Sequence, residues 1–309
     1  MQHYLLKETR SYEQWRAQKL YKYPKDAEQL IIELNNPIKL ADNELDAIRN
    51  RCAKTNIAIY RCSNIDHIDQ GQHKNIVIGI AEQLGLQQLD ANLCAEEDCF
   101  SIIQDTTHSV KGQNSHYIPY TNKPLNWHTD GYYNASAQRI HAFLMHCVSP
   151  AKSGGENSYL DPEIAYILMR DENPDYIAAL MQDDVMMIPA NEIDGKQIRP
   201  KQIGPVFSID AVTQELYMRY TARKRNIVWK QDITVQHALS FLHEVLGDNP
   251  YIFHYSLKVG EGVVCNNVMH TRTAFEDHKD RNKKRMLYRG RFYNRVASHQ
   301  QVLQNAVNK

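Results

Sequence analysis

Three His-x-Asp triplets occur in the chain: His67-Ile-Asp69, His128-Thr-Asp130 and His278-Lys-Asp280. In an extended strand, residues two apart project to the same side, so an imidazole and a carboxylate at this spacing can reach one metal ion. Two imidazoles and one carboxylate on one face of an octahedron leave the opposite positions open to an oxidisable co-substrate and dioxygen, which is the donor set of mononuclear non-haem Fe(II). Among 14 histidines, about one such triplet is expected by chance, so context must choose. His67 and His278 lie in the polar stretches NIDHIDQGQH and FEDHKDRNKK and read as solvated loop residues. His128 sits in LNWHTDGYYN, where Trp127, Tyr132 and Tyr133 can wall off water and Gly131 permits a sharp turn.

A third ligand is expected far along the chain, at the end of another strand. His270 follows GEGVVCNNVM and meets that condition, whereas His141 and His146, in RIHAFLMHCV, have no carboxylate at suitable spacing and read as hydrogen-bonded core or surface residues. A dicarboxylate such as 2-oxoglutarate, chelating iron through its keto-acid end, leaves a distal carboxylate that a guanidinium can hold with two hydrogen bonds. Arg285 opens the strand-like RMLYRGRFYN, and period-two geometry puts Arg285, Leu287, Arg289 and Arg291 on one face. Arginines sharing a face with leucine suit an anionic ligand inside a barrel. The competing reading of RNKKRMLYRGR is a basic surface or nucleic-acid patch.

Composition weighs against that patch as a global property. With 36 basic and 36 acidic side chains the formal net charge is zero, so no overall field exists to hold a phosphate backbone or an anionic membrane. Neither nucleic acid nor a membrane is an expected partner; a small molecule is, and a homo-oligomer stays open. MQHYLLKETRSYEQW lacks the apolar core of a secretion signal, and no apolar run approaches the roughly 18 residues of a membrane span. A soluble, cytoplasmic protein is expected. The six cysteines, at 52, 62, 94, 99, 147 and 265, form no CxxC pair and read as reduced packing residues.

The elements that must position these side chains follow from hydrophobic periodicity. Asn43 to Ala53 has apolar residues at helical spacing, with Asp42 or Asn43 as the cap; Ile57 to Tyr60 is a short β-branched run; Asn75 to Leu86 is helical again and ends at Gly85. Beyond about residue 117 the texture changes to short strands, such as Arg139 to Val148, Glu215 to Tyr220, Gly262 to Cys265 and Met286 to Tyr293, with one helix over Thr234 to Leu246. Many short strands at uneven spacing predict a sandwich or jelly roll rather than a parallel sheet. No linker or repeat divides residues 1–309, so one domain is expected.

The order of HTD near the middle, GGEN shortly after it, a late histidine and then Arg-x-x-x-Arg resembles the taurine dioxygenase-like family of Fe(II)/2-oxoglutarate oxygenases. The resemblance implies an α+β fold with a double-stranded β-helix (jelly-roll) core and flanking helices. It implies an oxidoreductase using Fe(II), 2-oxoglutarate and O2, hydroxylating or otherwise oxidising a small anionic or amino-acid-like molecule with release of succinate and CO2. His128, Asp130 and His270 would hold the iron, Arg285 and Asn157 the co-substrate, and Arg289, Tyr132, Tyr133 and Asn134 the substrate. Asn157 stands where the family usually has Thr, and an amide can donate the same bond. Arg281 and Arg285 form a second Arg-x-x-x-Arg pair; the pattern starting at Met286 favours Arg285 with Arg289. Retention of Asp130 points to hydroxylation over halogenation. A zinc-dependent hydrolase, which gives no reason for Arg285, and a non-catalytic jelly-roll binding protein are the two readings from other classes.

Overall fold

The computed structural model describes the chain except residues 1, 64, 66, 67, 92–94, 108–116, 194, 212, 224, 281, 282 and 298–309. His67 and Arg281 therefore lie outside the described residues. Six α-helices occur among those described: α1 Thr9–Leu20, α2 Asp42–Thr55, α3 Gln70–Gln83, α4 Pro162–Glu172, α5 Pro174–Leu180 and α6 Ile233–Val245. None is long and apolar enough to cross a membrane. Contacts gather the chain into two units, one of Met1–Tyr23, Asn126–Arg139 and Leu160–Ile252, the other of Pro24–Leu125, Ile140–Tyr159 and Phe253–Lys309.

The second unit contains the main sheet of the jelly roll. Its six strands run in the order Ile31–Leu34, Ile57–Cys62, Glu261–Cys265, Ala142–Ser149, Met286–Phe292 and Ser101–Ile103. The first pair is parallel and the others are antiparallel. Every residue of Glu261–Cys265 and Met286–Phe292 is buried, so these central strands are covered on both faces. Met286, Tyr288 and Phe292 pack with Ile48 and Cys52 of α2 and Ile76, Val77 and Ile80 of α3 in one cluster. Each large aliphatic side chain so buried stabilises the fold by roughly 1.5–3 kcal/mol. Alternation then turns Leu287, Arg289 and Arg291 to the opposite face, as the sequence predicts. A second sheet orders Phe253–Tyr255, Asn157–Leu160, Met269–Arg272 and Leu125–His128.

Two helix starts differ from expectation. Neither Asp42 nor Asn43 caps α2; Ala41 takes the cap position, and the Glu44 carboxylate accepts its backbone N–H at 2.8 Å. The next helix begins at Gln70, because Asp69 accepts the backbone N–H of Gln72 at 2.8 Å. The first turn after Asp69 is polar, so the apolar period that points to Asn75 begins late. Asp69, half of a discarded His-x-Asp triplet, is thus a helix cap.

The first unit carries α1, α4, α5 and α6 together with several short strands. Asp161 caps α4 by accepting from Glu163 N at 2.9 Å, with Pro162 at the first helical position. Lys19 of α1 is buried and pairs with Asp161 at 2.6 Å and with Glu163. A three-stranded sheet places Met186–Ile188 between Gln202–Gly204 and Val228–Trp229, and Phe207–Ile209 pairs with Leu216–Met218 as a hairpin.

Candidate active site

His128 ends the strand Leu125–His128, and a second segment pins it from both sides of the motif. Thr129 N donates to Tyr220 O at 3.0 Å, Tyr220 N donates to Thr129 Oγ1 at 3.1 Å, and Ala222 N donates to Trp127 O at 2.8 Å. Gly131 follows Asp130 at φ 66°, a left-handed turn that costs glycine little. His270 lies in the buried strand Met269–Arg272, with the Phe143 ring 4.6 Å away, centroid to centroid.

Potential ligand atoms of His128, Asp130 and His270 all lie within 4.8 Å of one another, and all three residues are buried. Backbone carbonyls orient both rings: His128 Nδ1 is 2.8 Å from Asn126 O, and His270 Nδ1 is 3.0 Å from Val268 O. A carbonyl can only accept, so each Nδ1 carries the proton and each Nε2 presents its lone pair, as in imidazole ligands held by an outer hydrogen bond. His128 Nε2 is 3.8 Å from Asp130 Oδ1. Two imidazoles and a carboxylate, all buried and with potential ligand atoms this close, are a donor set that fits a divalent metal that also needs open positions.

Arg285 is 4% exposed; its guanidinium lies over the Phe275 ring at 5.0 Å, and its Nη1 has no hydrogen-bond partner among the described residues. Burial lowers its pKa, only partly offset by neighbours such as Cys147, Tyr159 and Asp277. A buried guanidinium donor without an acceptor is costly unless a ligand supplies one, and a carboxylate supplies two oxygens. Gly155, at φ 75°, leaves room beside it; a Cβ there would stand 3.3 Å from Arg285 Nε. Asn157 is buried in the strand Asn157–Leu160 and donates from Nδ2 to Thr271 O at 3.1 Å, next to His270. Arg289 is buried on the interior-facing side of its strand, opposite Met145 and Ser101.

The three residues after the turn have different surroundings. Tyr132 and Tyr133 meet edge to face at 5.1 Å, and Tyr132 Oη accepts from Arg223 Nη1 at 3.0 Å. Asn134 closes its own loop, donating from Nδ2 to Gln138 O at 2.9 Å.

Arg272 and Arg219, also buried, are not among the residues that the sequence singles out. Arg272, two residues beyond His270, donates to the carbonyls of Thr121 at 2.8 Å and Lys123 at 2.6 Å; burial and the charge of Arg285 lower its pKa to about 9. Arg219 donates to Tyr132 O at 2.7 Å, Met186 O at 3.1 Å, and Gly204 O and Gln202 O at 3.3 Å. The available signal for Arg272 is its period-two spacing from His270. Arg219, just past the strand Leu216–Met218, has none, because its partners are carbonyls from three distant segments.

Residues 22–290 match the model of the family described as "Taurine catabolism dioxygenase TauD, TfdA family". A curated relative, a uridine-5'-phosphate dioxygenase from Streptomyces sp, is 27% identical over 182 residues, which is 57% of this chain and 65% of that protein. The chain thus matches just under two thirds of that relative's length. Among solved structures, an asparagine oxygenase in complex with Fe(II), 2S,3S-3-hydroxyasparagine and succinate superposes with a TM-score of 0.56 at 13% identity, covering 85% of this chain and 93% of that one. The non-haem iron oxygenase OrfP with Fe and alpha-ketoglutaric acid gives 0.59 at 14%, covering 87% and 84%. A taurine dioxygenase from Burkholderia xenovorans gives 0.55 at 14%, covering 85% and 87%.

Proposed function

Because the chain belongs to the taurine catabolism dioxygenase TauD, TfdA family, we propose that it is an Fe(II)- and 2-oxoglutarate-dependent dioxygenase acting on a small anionic or amino-acid-like molecule. The observation that carries this reading is the convergence of His128, Asp130 and His270 within 4.8 Å, two imidazoles and one carboxylate with both rings held in the ligating tautomer. These three side chains hold the metal. When bound together, iron, 2-oxoglutarate and O2 supply the oxidising power, and the co-substrate leaves as succinate and CO2.

The protein's own residues bind, orient and exclude water. Arg285 pairs with the distal carboxylate of 2-oxoglutarate, satisfying its buried Nη1. Asn157 has two amide protons and donates one to Thr271 O, which leaves the other for the co-substrate while the bond steadies the His270 strand. Phe143 covers the His270 ring and keeps that side dry. Arg289 faces the substrate, and Tyr132, Tyr133 and Asn134 line its approach; through its hydrogen bond to Gln138, Asn134 shapes the loop. The curated relative acts on uridine 5'-phosphate, and two neighbours are named with hydroxylated amino acids, so both an anionic and an amino-acid-like substrate have precedent.

Anaerobic mixing of the protein with Fe(II) and 2-oxoglutarate should give a weak visible charge-transfer band, and oxygen should then release succinate. Asp130→Ala should lose both while keeping the circular dichroism of the wild type. No band and no succinate, with hydrolysis dependent on zinc alone, would replace the oxygenase reading by the hydrolase.

A further inference from the structure

The loop that follows Asp130 is surrounded by cations. Arg219 directs its donors to the four carbonyls already described, one of them Tyr132 O. Arg199 lies 5.4 Å from the Tyr133 ring centroid and donates to Tyr133 O at 3.2 Å and Pro189 O at 3.0 Å. Arg223 donates to the hydroxyl of Tyr132, and Arg139 lies 5.0 Å from the ring centroid of Tyr217. Among the described residues none of these four arginines forms an ion pair with a carboxylate. Their fields overlap: burial above all, opposed by Tyr217 and assisted by the charges of Arg139 and Arg199, lowers the pKa of Arg219 to about 10. Asp130 also bears electrostatically on Tyr217, which places the cluster beside a proposed metal ligand.

Four arginines around one loop, none ion-paired to a carboxylate among the described residues, are mutually repulsive, and a neutral chain has no global reason to gather them. A single carboxylate would offset one charge. A phosphomonoester brings close to two negative charges at neutral pH and three strong acceptor oxygens. Resting on the oxygenase reading above, we infer that the substrate is a phosphomonoester whose phosphate docks on Arg223 and Arg139. Arg219 and Arg199 are positioning residues: their hydrogen bonds to the carbonyls of Tyr132 and Tyr133 fix the loop from which the two aromatic rings project. The uridine 5'-phosphate of the curated relative belongs to this chemical class.

The test measures binding rather than turnover. Uridine, cytidine, adenosine and guanosine 5'-monophosphates, ribose 5-phosphate and O-phosphoserine are each titrated calorimetrically into the full-length protein beside their dephosphorylated counterparts, with asparagine and arginine as amino-acid competitors. At least one phosphorylated compound should bind about tenfold or more tightly than its counterpart, since charge-assisted hydrogen bonds carry that much. Arg223→Ala and Arg139→Ala should each lose roughly tenfold to a hundredfold for the phosphorylated compound and little for the counterpart, with Arg223→Lys in between. Equal binding of every pair, preference for the free amino acids, or unchanged affinity in both alanine variants would overturn the inference. The 2-oxoglutarate charge-transfer band is read in the same variants and should persist. Its loss in wild type would sink the oxygenase reading instead, so the two failures are distinguishable.

Discussion

At Arg285 the physical problem is a guanidinium that is 4% exposed with one nitrogen lacking an acceptor among the described residues, a state that stabilises nothing until an anion arrives. Charge-assisted hydrogen bonds contribute about 1.5–3 kcal/mol, so Arg285→Ala should raise the half-saturating 2-oxoglutarate concentration by roughly tenfold to a hundredfold in a charge-transfer titration. Lysine keeps the charge but loses the planar fork, and Arg285→Lys should recover only a fraction of the affinity. An unchanged titration in Arg285→Ala would move the role to Arg281 or Arg289. At this scale the sequence is readable where metal-donor chemistry selects a residue type: His128, Asp130 and His270 are expected from donor type and context, and potential ligand atoms of the three lie within 4.8 Å of one another. Arg219 and Arg223 escape such a reading because what defines them is carbonyls and a hydroxyl contributed from elsewhere, which no spacing records.

A buried chain of three side chains couples α3 to the main sheet. Tyr60 Oη lies 2.9 Å from His146 Nδ1, and His146 Nε2 lies 2.8 Å from His73 Nδ1 of α3. The chain closes with both rings neutral: the Tyr60 hydroxyl donates to His146, and His146 Nε2–H donates to His73. Burial, reinforced by the charge of His73, lowers the His146 pKa to about 3, and burial lowers that of His73 as well. The unfolded chain takes up these protons below about pH 6.5 and the folded chain does not, so stability is full above that pH and falls as pH drops towards 3. His146 alone accounts for roughly 2 kcal/mol of loss at about pH 5 by this linkage. His146→Gln should shrink the difference in urea-unfolding free energy between about pH 7.5 and about pH 5 by that amount; an undiminished difference would show that other groups carry the acid sensitivity. Elements are legible where one apolar stripe or alternation dominates, as in Met286–Phe292 and α6. Helix α1 is not, because its buried positions are Tyr12 and Lys19, residues that a hydropathy pattern assigns to solvent.

Lys19 also bears on the molecule as a whole, since the family match begins at residue 22 and yet Tyr4, Tyr12 and Lys19 are buried. The stretch outside the match is built into the helical unit. Burial alone would lower the Lys19 pKa, but Asp161 and Glu163 outweigh it and hold it above the ordinary lysine value. Tyr4 donates to the same Glu163, and Tyr166 donates to Tyr4 O at 2.8 Å, so α4 is tied at its start to two points of the segment before residue 22. Asp161 is fully buried and caps α4, so removing Lys19 would leave two buried carboxylates facing each other at a helix N-terminus. Breaking one side of such an arrangement costs about 3–5 kcal/mol. Lys19→Met should therefore lower unfolding free energy by that order in urea titrations, and adding Glu163→Gln should restore some of it by removing one stranded charge. If Lys19→Met unfolds within about 1 kcal/mol of wild type, the range measured for exposed pairs, the ion triad is open to water and the segment before residue 22 is dispensable to the helical unit.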